Sequence, residues 1–401
     1  MSNSESFFPI FWFSHLFGCE EDPETINDNF RFTIADDGET MLVSCHKNGM
    51  IYKCGRLKKK AFCNFKEFEP RGGGKLHIVC GHGENSYPPH YTDFISAQNY
   101  PEFDGATFQI SSSAKGTQNI DSQTSVVNGI RDYTFDFNQG AMGSVATGHA
   151  ALYRNYCCSQ ILDLLQNTPF DTRNGFIQID DEEELDRIEN LDFDWNDPSN
   201  YYIGIQRNIE VVIRRDESYF LKYSINTENR PIVHYCFCLK MDFANDIISC
   251  DYTKMLARII LEYQYKMAIL SAWENSLLYP DRPGSRVLFL TPLGTECGTS
   301  RRVVSEAIEA CKDLSVDSGL DVYLSCYTPF SFKKCKEVLK HVVDETHGSI
   351  ILTKKVAKED LAFYQPCGVD CCILLLVIII TVVVFILFVS KFGKINKVYS
   401  F

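Results

Sequence analysis

Residues 286–327 read RVLFLTPLGTECGTSRRVVSEAIEACKDLSVDSGLDVYLSCY, and the succession of patterns inside them decides the fold. The apolar run 286–290 stops at Thr291 and Pro292, as a short buried strand does. A loop bearing Gly294 and Gly298 follows. From residue 300 to 314, Val303, Val304, Ala307, Ile308 and Cys311 recur at spacings that place them on one face of a helix. Residues 320–327 are a second apolar strand. Strand, loop, helix and strand form a βαβ unit, right-handed by the chirality of such crossovers, with its loop at the edge where open sheets take ligands. The class predicted is α/β, a three-layer mixed sheet with helices on both faces.

Upstream, residues 255–278 have helical periodicity through Ile259, Ile260, Tyr263, Met267, Ala268, Ser271 and Ala272. Before them lies a strand-rich stretch, 176–250, expected as an insertion, with strands at 203–213 and 232–239. Residues 133–137 alternate like a strand and run into a loop of small residues at 138–144. A helix is predicted beyond it through Val145, Ala146, His149, Ala150, Leu152, Tyr153 and Tyr156. Two further strands are expected at 75–80 and 106–110, the second ending at Ser111, Ser112 and Ser113. Gly72, Gly73 and Gly74 precede their strand, whereas phosphate loops follow one, so they read as a turn. Residues 40–53 read as a strand pair turning at Asn48 and Gly49, within an N-terminal accessory region, 1–70. The main domain is placed at 71–330.

Two loops of small residues thus stand at the C-terminal ends of strands, each ahead of a helix. Amides at a helix N-terminus attract anions, and missing side chains let a phosphate approach, so the pair suits a diphosphate. The stretch ATFQISSS, the loop NQGAMGS with its helix ATGHAALYRNY, and the unit VLFLTPLGTECG through GLDVYLSCY resemble the macrodomain superfamily, whose members bind ADP-ribose. The resemblance covers residues 75–330 and implies a macrodomain-like fold that takes ADP-ribose or an ADP-ribosylated protein. It implies ligand contacts from Ser111, Ser112 and Ser113, from Asn138, Gly140, Ala141, Met142 and Gly143, and from Gly294, Thr295, Glu296, Cys297 and Gly298. The chain departs from the family in two places. Serines replace the Asn-Ala-Ala-Asn signature, and the paired glutamates of glycohydrolase relatives are absent from Ser144-Val145-Ala146-Thr147, so no general acid is visible. Asp136 and Asn138 either hold a ribose hydroxyl or cap the helix. His149, on an apolar helix, reads as a core or subsite residue before a base, and Cys297 as an inert loop thiol before a nucleophile. The functional expectation is an ADP-ribose-binding module, the alternatives being a ligand-free scaffold or an ADP-ribosyl hydrolase.

From Cys371 to Val389 the chain reads CCILLLVIIITVVVFILFV, without a charge and with Thr381 its one polar residue. Nineteen such residues span the roughly 30 Å hydrocarbon core as a helix. A single-pass anchor at 371–390 is expected, after a membrane-proximal segment at 331–370 and before a basic tail at 391–401. The lipid bilayer is then a partner, and the domain faces the cytosol. Cys367, Cys371 and Cys372 stand where acylation is plausible chemistry. A net charge of −13 argues against nonspecific nucleic-acid binding. Seventeen cysteines scattered through apolar stretches read as reduced, buried thiols. Cys236 and Cys238 lack two further ligands, so neither a metal nor a cofactor is expected.

Overall fold

The structure is a computed structural model that describes residues 6–80, 93–118, 128–135, 139–159, 162–177, 179, 181–215, 222–241, 250–295, 298–326 and 328–352. In chain order its elements are α1 (Trp12–Phe17), α2 (Ile26–Asn29), β1 (Phe30–Ile34), β2 (Thr40–Cys45), β3 (Ile51–Gly55), β4 (Lys58–Ala61), β5 (Lys75–Cys80), α3 (Phe94–Ala97) and β6 (Thr107–Ser112). Then come α4 (Gln139–Ala146), α5 (Gly148–Tyr153), β7 (Thr172–Arg173), β8 (Phe176–Ile177), α6 (Glu182–Glu189), β9 (Tyr202–Glu210), β10 (Ile213–Arg215), β11 (Tyr223–Ile225) and β12 (Ile232–Leu239). The last are α7 (Asp251–Leu278), β13 (Val287–Leu290), α8 (Arg301–Glu309), α9 (Lys312–Ser318), β14 (Asp321–Cys326), α10 (Pro329–Glu345) and β15 (Ile350–Leu352).

Eight strands share one sheet in the order β15-β5-β14-β13-β6-β12-β9-β4. The run from β15 to β12 is parallel, and β9 and β4 each pair antiparallel with the strand before them. Parallel strands covered on both faces need apolar side chains on both, and β6 and β12 are buried almost throughout. One face carries α7, α8 and α10 over a core that includes Leu288, Leu324, Tyr265 and Trp273. The other carries α3, α4, α5 and the N-terminal layer over Phe94, Phe108, Phe237 and Phe289. A mixed sheet between two helical layers meets the three-layer expectation.

Four local readings change. The strands near 203–213 and 232–239 are not an insertion, because β12 is the parallel neighbour of β6 and β9 lies next to it. Residues 131–135 form a 3-10 turn where a strand was expected. The Glu21 carboxylate accepts from the Ile130 and Arg131 amides at 2.8 and 2.6 Å, which fixes the turn's entry, and the buried Tyr133 ring produced the strand-like alternation. The small residues Gly140, Ala141, Met142 and Gly143 belong to α4 itself. A Cβ at Gly143 would stand 2.9 Å from Gln98 Nε2 and 3.2 Å from Phe94 Cβ, so small size there serves close packing of α4 on α3. Finally, the helix expected at 300–314 is two, α8 and α9, meeting at Ala310–Cys311.

The pair β2 and β3 is antiparallel about Gly49, as its sequence predicts, and β1 completes a three-stranded sheet. That sheet closes on the main body at Gly55, where a Cβ would stand 2.2 Å from the Arg207 carbonyl oxygen. Of the described cysteines thirteen are free thiols, and only Cys63 and Cys157 are exposed. Among the described residues no helix is long and apolar enough to cross a membrane. The expected anchor at 371–390 and Cys367, Cys371 and Cys372 lie outside the described residues.

Candidate functional site

At β6 the chain changes sides. After β6 it passes to α4 on one face, with Ala141 and Val145 in that core. After each neighbour of β6 it passes to the other face: from β12 to α7 and from β13 to α8, whose Val303, Val304 and Ala307 lie in the opposite core. Adjacent parallel strands that send their chains to opposite faces leave a crevice beyond their carboxyl ends, the place where ligands enter open α/β sheets. Here that position lies at Ser112 and Ser113, both fully buried. The α4 N-terminus points toward it, since the Ala146 carbonyl at the helix's far end accepts from Val212, just past β9 at the sheet's opposite edge.

The serines are placed at this edge as expected, but their hydroxyls are engaged by the fold. Ser112 Oγ donates to the Cys238 carbonyl at 3.4 Å, and Ser113 Oγ lies 2.9 Å from Thr117 Oγ1 and accepts from the Lys115 amide at 3.2 Å. Ser111 is buried as well. The turn they make permits the hairpin of β7 and β8 to dock: Gly175, at φ 83°, leaves only 3.1 Å between a hypothetical Cβ and the Ser113 side chain.

That hairpin brings in a residue the sequence did not single out. The Lys240 amide donates to the Ser112 carbonyl at 2.9 Å, and its ammonium lies 5.3 Å over the Phe176 ring. Lys240 has no exposed surface. The Lys240 backbone is thus tied to the end of β6, and its ammonium lies against an aromatic face. The missed signal was a single lysine closing the otherwise apolar run YCFCLKM.

On the other side, the loop after β13 is pinned from two directions. Tyr265 of α7 donates its hydroxyl to the Thr291 carbonyl at 2.8 Å and accepts from the Leu293 amide at 2.9 Å. Burial pushes this phenol well above its ordinary pKa, so it remains a donor. Thr299 Oγ1 reaches across to the Met241 carbonyl at 3.2 Å, and Gly294, at φ 72°, sits so near that a Cβ would come within 2.9 Å of the same oxygen. Met241 follows β12, so the β13 loop and the end of β12 meet around the end of β6. Thr295 is half-buried and Gly298 exposed, while Asn138, Glu296 and Cys297 lie outside the described residues.

Beneath α4, Arg154 is buried and donates to Gln206 Oε1 at 2.9 Å, Ser144 Oγ at 3.0 Å and Gln118 Oε1 at 3.3 Å. It ties β9, α4 and the segment after β6 together, and its guanidinium packs 4.6 Å from the Phe237 ring centre. In the middle of β6, Gln109 Oε1 accepts from the Thr291 amide at 2.8 Å, and its buried Nε2 has no partner among the described residues. His149 is a core residue: Nε2 lies 3.0 Å from the Lys53 carbonyl, the ring stacks on Tyr52, and burial lowers its pKa to about 3. It is neutral and distant in function from the crevice. Cys236 and Cys238 are buried in the sheet, and no group of described histidine, cysteine and acidic residues could hold a metal ion. A groove of about 720 Å³ between α7 and α8 is a separate feature, with Lys254 paired to Asp251 and Arg302 to Glu306.

No family model matches the chain, and neither does any curated protein. Among solved structures, the chain is similar to poly(ADP-ribose) glycohydrolase from Deinococcus radiodurans in complex with ADP-ribose, at 9% identity over 70% of this chain and 96% of that one, with a TM-score of 0.34. It is also similar to the poly(ADP-ribose) glycohydrolase from Thermomonospora curvata, at 9% identity over 80% and 95% of the two chains, with a TM-score of 0.36. At these values the likeness is one of outline and carries no correspondence between residues.

Proposed function

We propose that the chain is a membrane-anchored module that binds ADP-ribose, free or on an ADP-ribosylated protein, or a related nucleotide diphosphate, in the crevice over the end of β6. The observation that carries this reading is the change of sides at β6, which sets the end of that strand between the α4 N-terminus and the β13 loop. A diphosphate there would meet the N-terminal turn of α4, at Gly140, Ala141 and Met142, and the loop at Gly294 and Thr295 opposite. Lys240, whose backbone bonds Ser112, would bring positive charge to this end of the sheet. Gly298, Ser111, Ser112 and Ser113 shape the rim, and Asn138, Glu296 and Cys297 complete the proposed set. The 19 uncharged residues from Cys371 to Val389 would hold the module on a membrane with its domain in the cytosol.

A ligand-free scaffold is the competing reading, and it draws on the internal hydrogen bonds of Ser112 and Ser113. The two separate in a thermal-shift comparison on the full chain in detergent micelles. Under the proposal ADP-ribose raises the unfolding temperature, and adenosine or ribose alone does not, because neither brings a diphosphate. A scaffold shows the same midpoint with all three.

A further inference from the structure

We infer that the N-terminal turn carrying Phe8, Ile10 and Phe11 is a second membrane contact, inserting into the headgroup region of the bilayer that the C-terminal segment enters. The inference rests on the anchor reading of 371–389 and adds an interaction surface on the folded domain.

The turn is held firmly from beneath. Phe7 exchanges two backbone hydrogen bonds of 2.8 Å with Tyr223 and stacks on His15 at 4.5 Å. Trp12, Phe13, Leu16 and Phe17, which follow, are all buried. Pro9 opens a 3-10 turn to Phe11, and the geometry turns Phe8, Ile10 and Phe11 outward with 51%, 48% and 48% of their surfaces exposed. Single exposed apolar residues are ordinary on any protein; three within four residues on a rigid turn form a patch that calls for a cover.

The surroundings favour lipid as that cover. Lys222 Nζ lies 5.5 Å over the Phe8 ring, and Arg214 is exposed on the neighbouring hairpin of β10 and β11. Aromatic side chains level with headgroups and cations reaching for lipid phosphates are the composition of an interfacial anchor. The chain's own length permits the contact. Eighteen residues, 353–370, separate Leu352 from the apolar segment and can reach at most about 60 Å, while a domain of some 350 residues is roughly 50 Å across. Any face of the domain can therefore meet the bilayer, and this is the face built for it.

Tryptophan fluorescence of the full chain reads the contact directly, since the native Trp12, Trp195 and Trp273 are all buried, out of contact with a quencher in the lipid, and their emission is subtracted with the unsubstituted chain. The chain carrying Phe11→Trp, with Ile10→Trp as a second reporter, is reconstituted into vesicles of phosphatidylcholine and phosphatidylserine, with or without bromine on the lipid chains near the headgroup. Met255→Trp serves as control, because Met255 is exposed on α7 at the opposite face of the sheet. Flotation with the vesicles reports the anchor, and quenching reports the turn. The expected result is flotation of every variant, with the added emission largely lost to brominated lipid at positions 10 and 11 and retained at 255. Flotation with no more quenching at positions 10 and 11 than at 255 overturns this inference and leaves the anchor standing. Failure to float overturns both. A blue shift of the Phe11→Trp emission that grows with protein concentration in lipid-free micelles assigns the patch to a second copy of the chain and also overturns the inference.

Discussion

Lys240, just past β12, and Gly294, past β13, stand on the two sides of β6, and each makes a different demand on its position. Lys240 is buried with its ammonium over Phe176, so replacing it with methionine removes the charge and keeps most of the volume. A charge-assisted contact to phosphate is worth about 1.5–3 kcal/mol, so Lys240→Met is expected to weaken ADP-ribose binding by roughly ten- to a hundredfold. Equilibrium titration checks the loss, and circular dichroism that the fold persists. Gly294 combines φ 72° with a Met241 carbonyl oxygen only 2.9 Å from any Cβ. Gly294→Val is expected to cost about 2 kcal/mol or more in denaturant unfolding and to abolish binding, since the loop must withdraw from β12. Gly294 was legible in the sequence because a glycine between an apolar strand and an amphipathic helix has few other uses. Lys240 was not, since a lysine at the end of an apolar run reads as the strand meeting water. Only the fold brings Phe176 and the β6 terminus around it. The serines were read at the right edge with the wrong availability, because hydroxyl partners such as Thr117 and the Cys238 carbonyl are set by turn geometry.

Among the elements, α7 pins the loop that follows β13. Tyr265 is its contact with the β13 loop, serving one carbonyl and one amide at once. Tyr265→Phe leaves the Thr291 carbonyl and Leu293 amide buried without that partner, at a cost of about 2 kcal/mol. The expected outcome is a lower unfolding midpoint together with weaker ADP-ribose binding, and an unchanged affinity in the folded variant would show that the loop is not part of the site. The βαβ unit from β13 to β14 was readable because its signals are local: two apolar runs, one helical face and a turn. The place of β9 and β12 was not, because strand pairing joins residues remote in sequence, as in the register Cys236 with Gln109 and Ile205. The small residues of α4 misled for a related reason. Glycine suits both phosphate approach and close helix packing, and Phe94 and Gln98, which decide the matter at Gly143, lie on another element.

At the scale of the whole molecule, acid should weaken the fold below neutrality. Burial lowers the pKa values of His149 and His234 to about 3, whereas the unfolded chain titrates near 6.5. Protons therefore bind the unfolded state preferentially, and stability present above about pH 6.5 is lost as pH falls toward 3. Glu21 acts in the opposite sense, since burial raises its pKa and protonation favours the fold, but it is one group against two. Each histidine should contribute about 1 kcal/mol of loss at about pH 5.5. Unfolding midpoints at that pH and at pH 8 check this, and His234→Gln is expected to show the smaller acid shift. The central claim is that a diphosphate ligand sits where the chain changes sides at β6. Calorimetric titration of ADP-ribose into the full chain and into Lys240→Met, both in lipid nanodiscs, tests it most directly. The account predicts saturable heat at about micromolar affinity for the natural chain and a marked loss for the variant. Binding of equal strength to both would contradict the assignment of the site, and no heat from a folded natural chain would contradict ADP-ribose as its ligand.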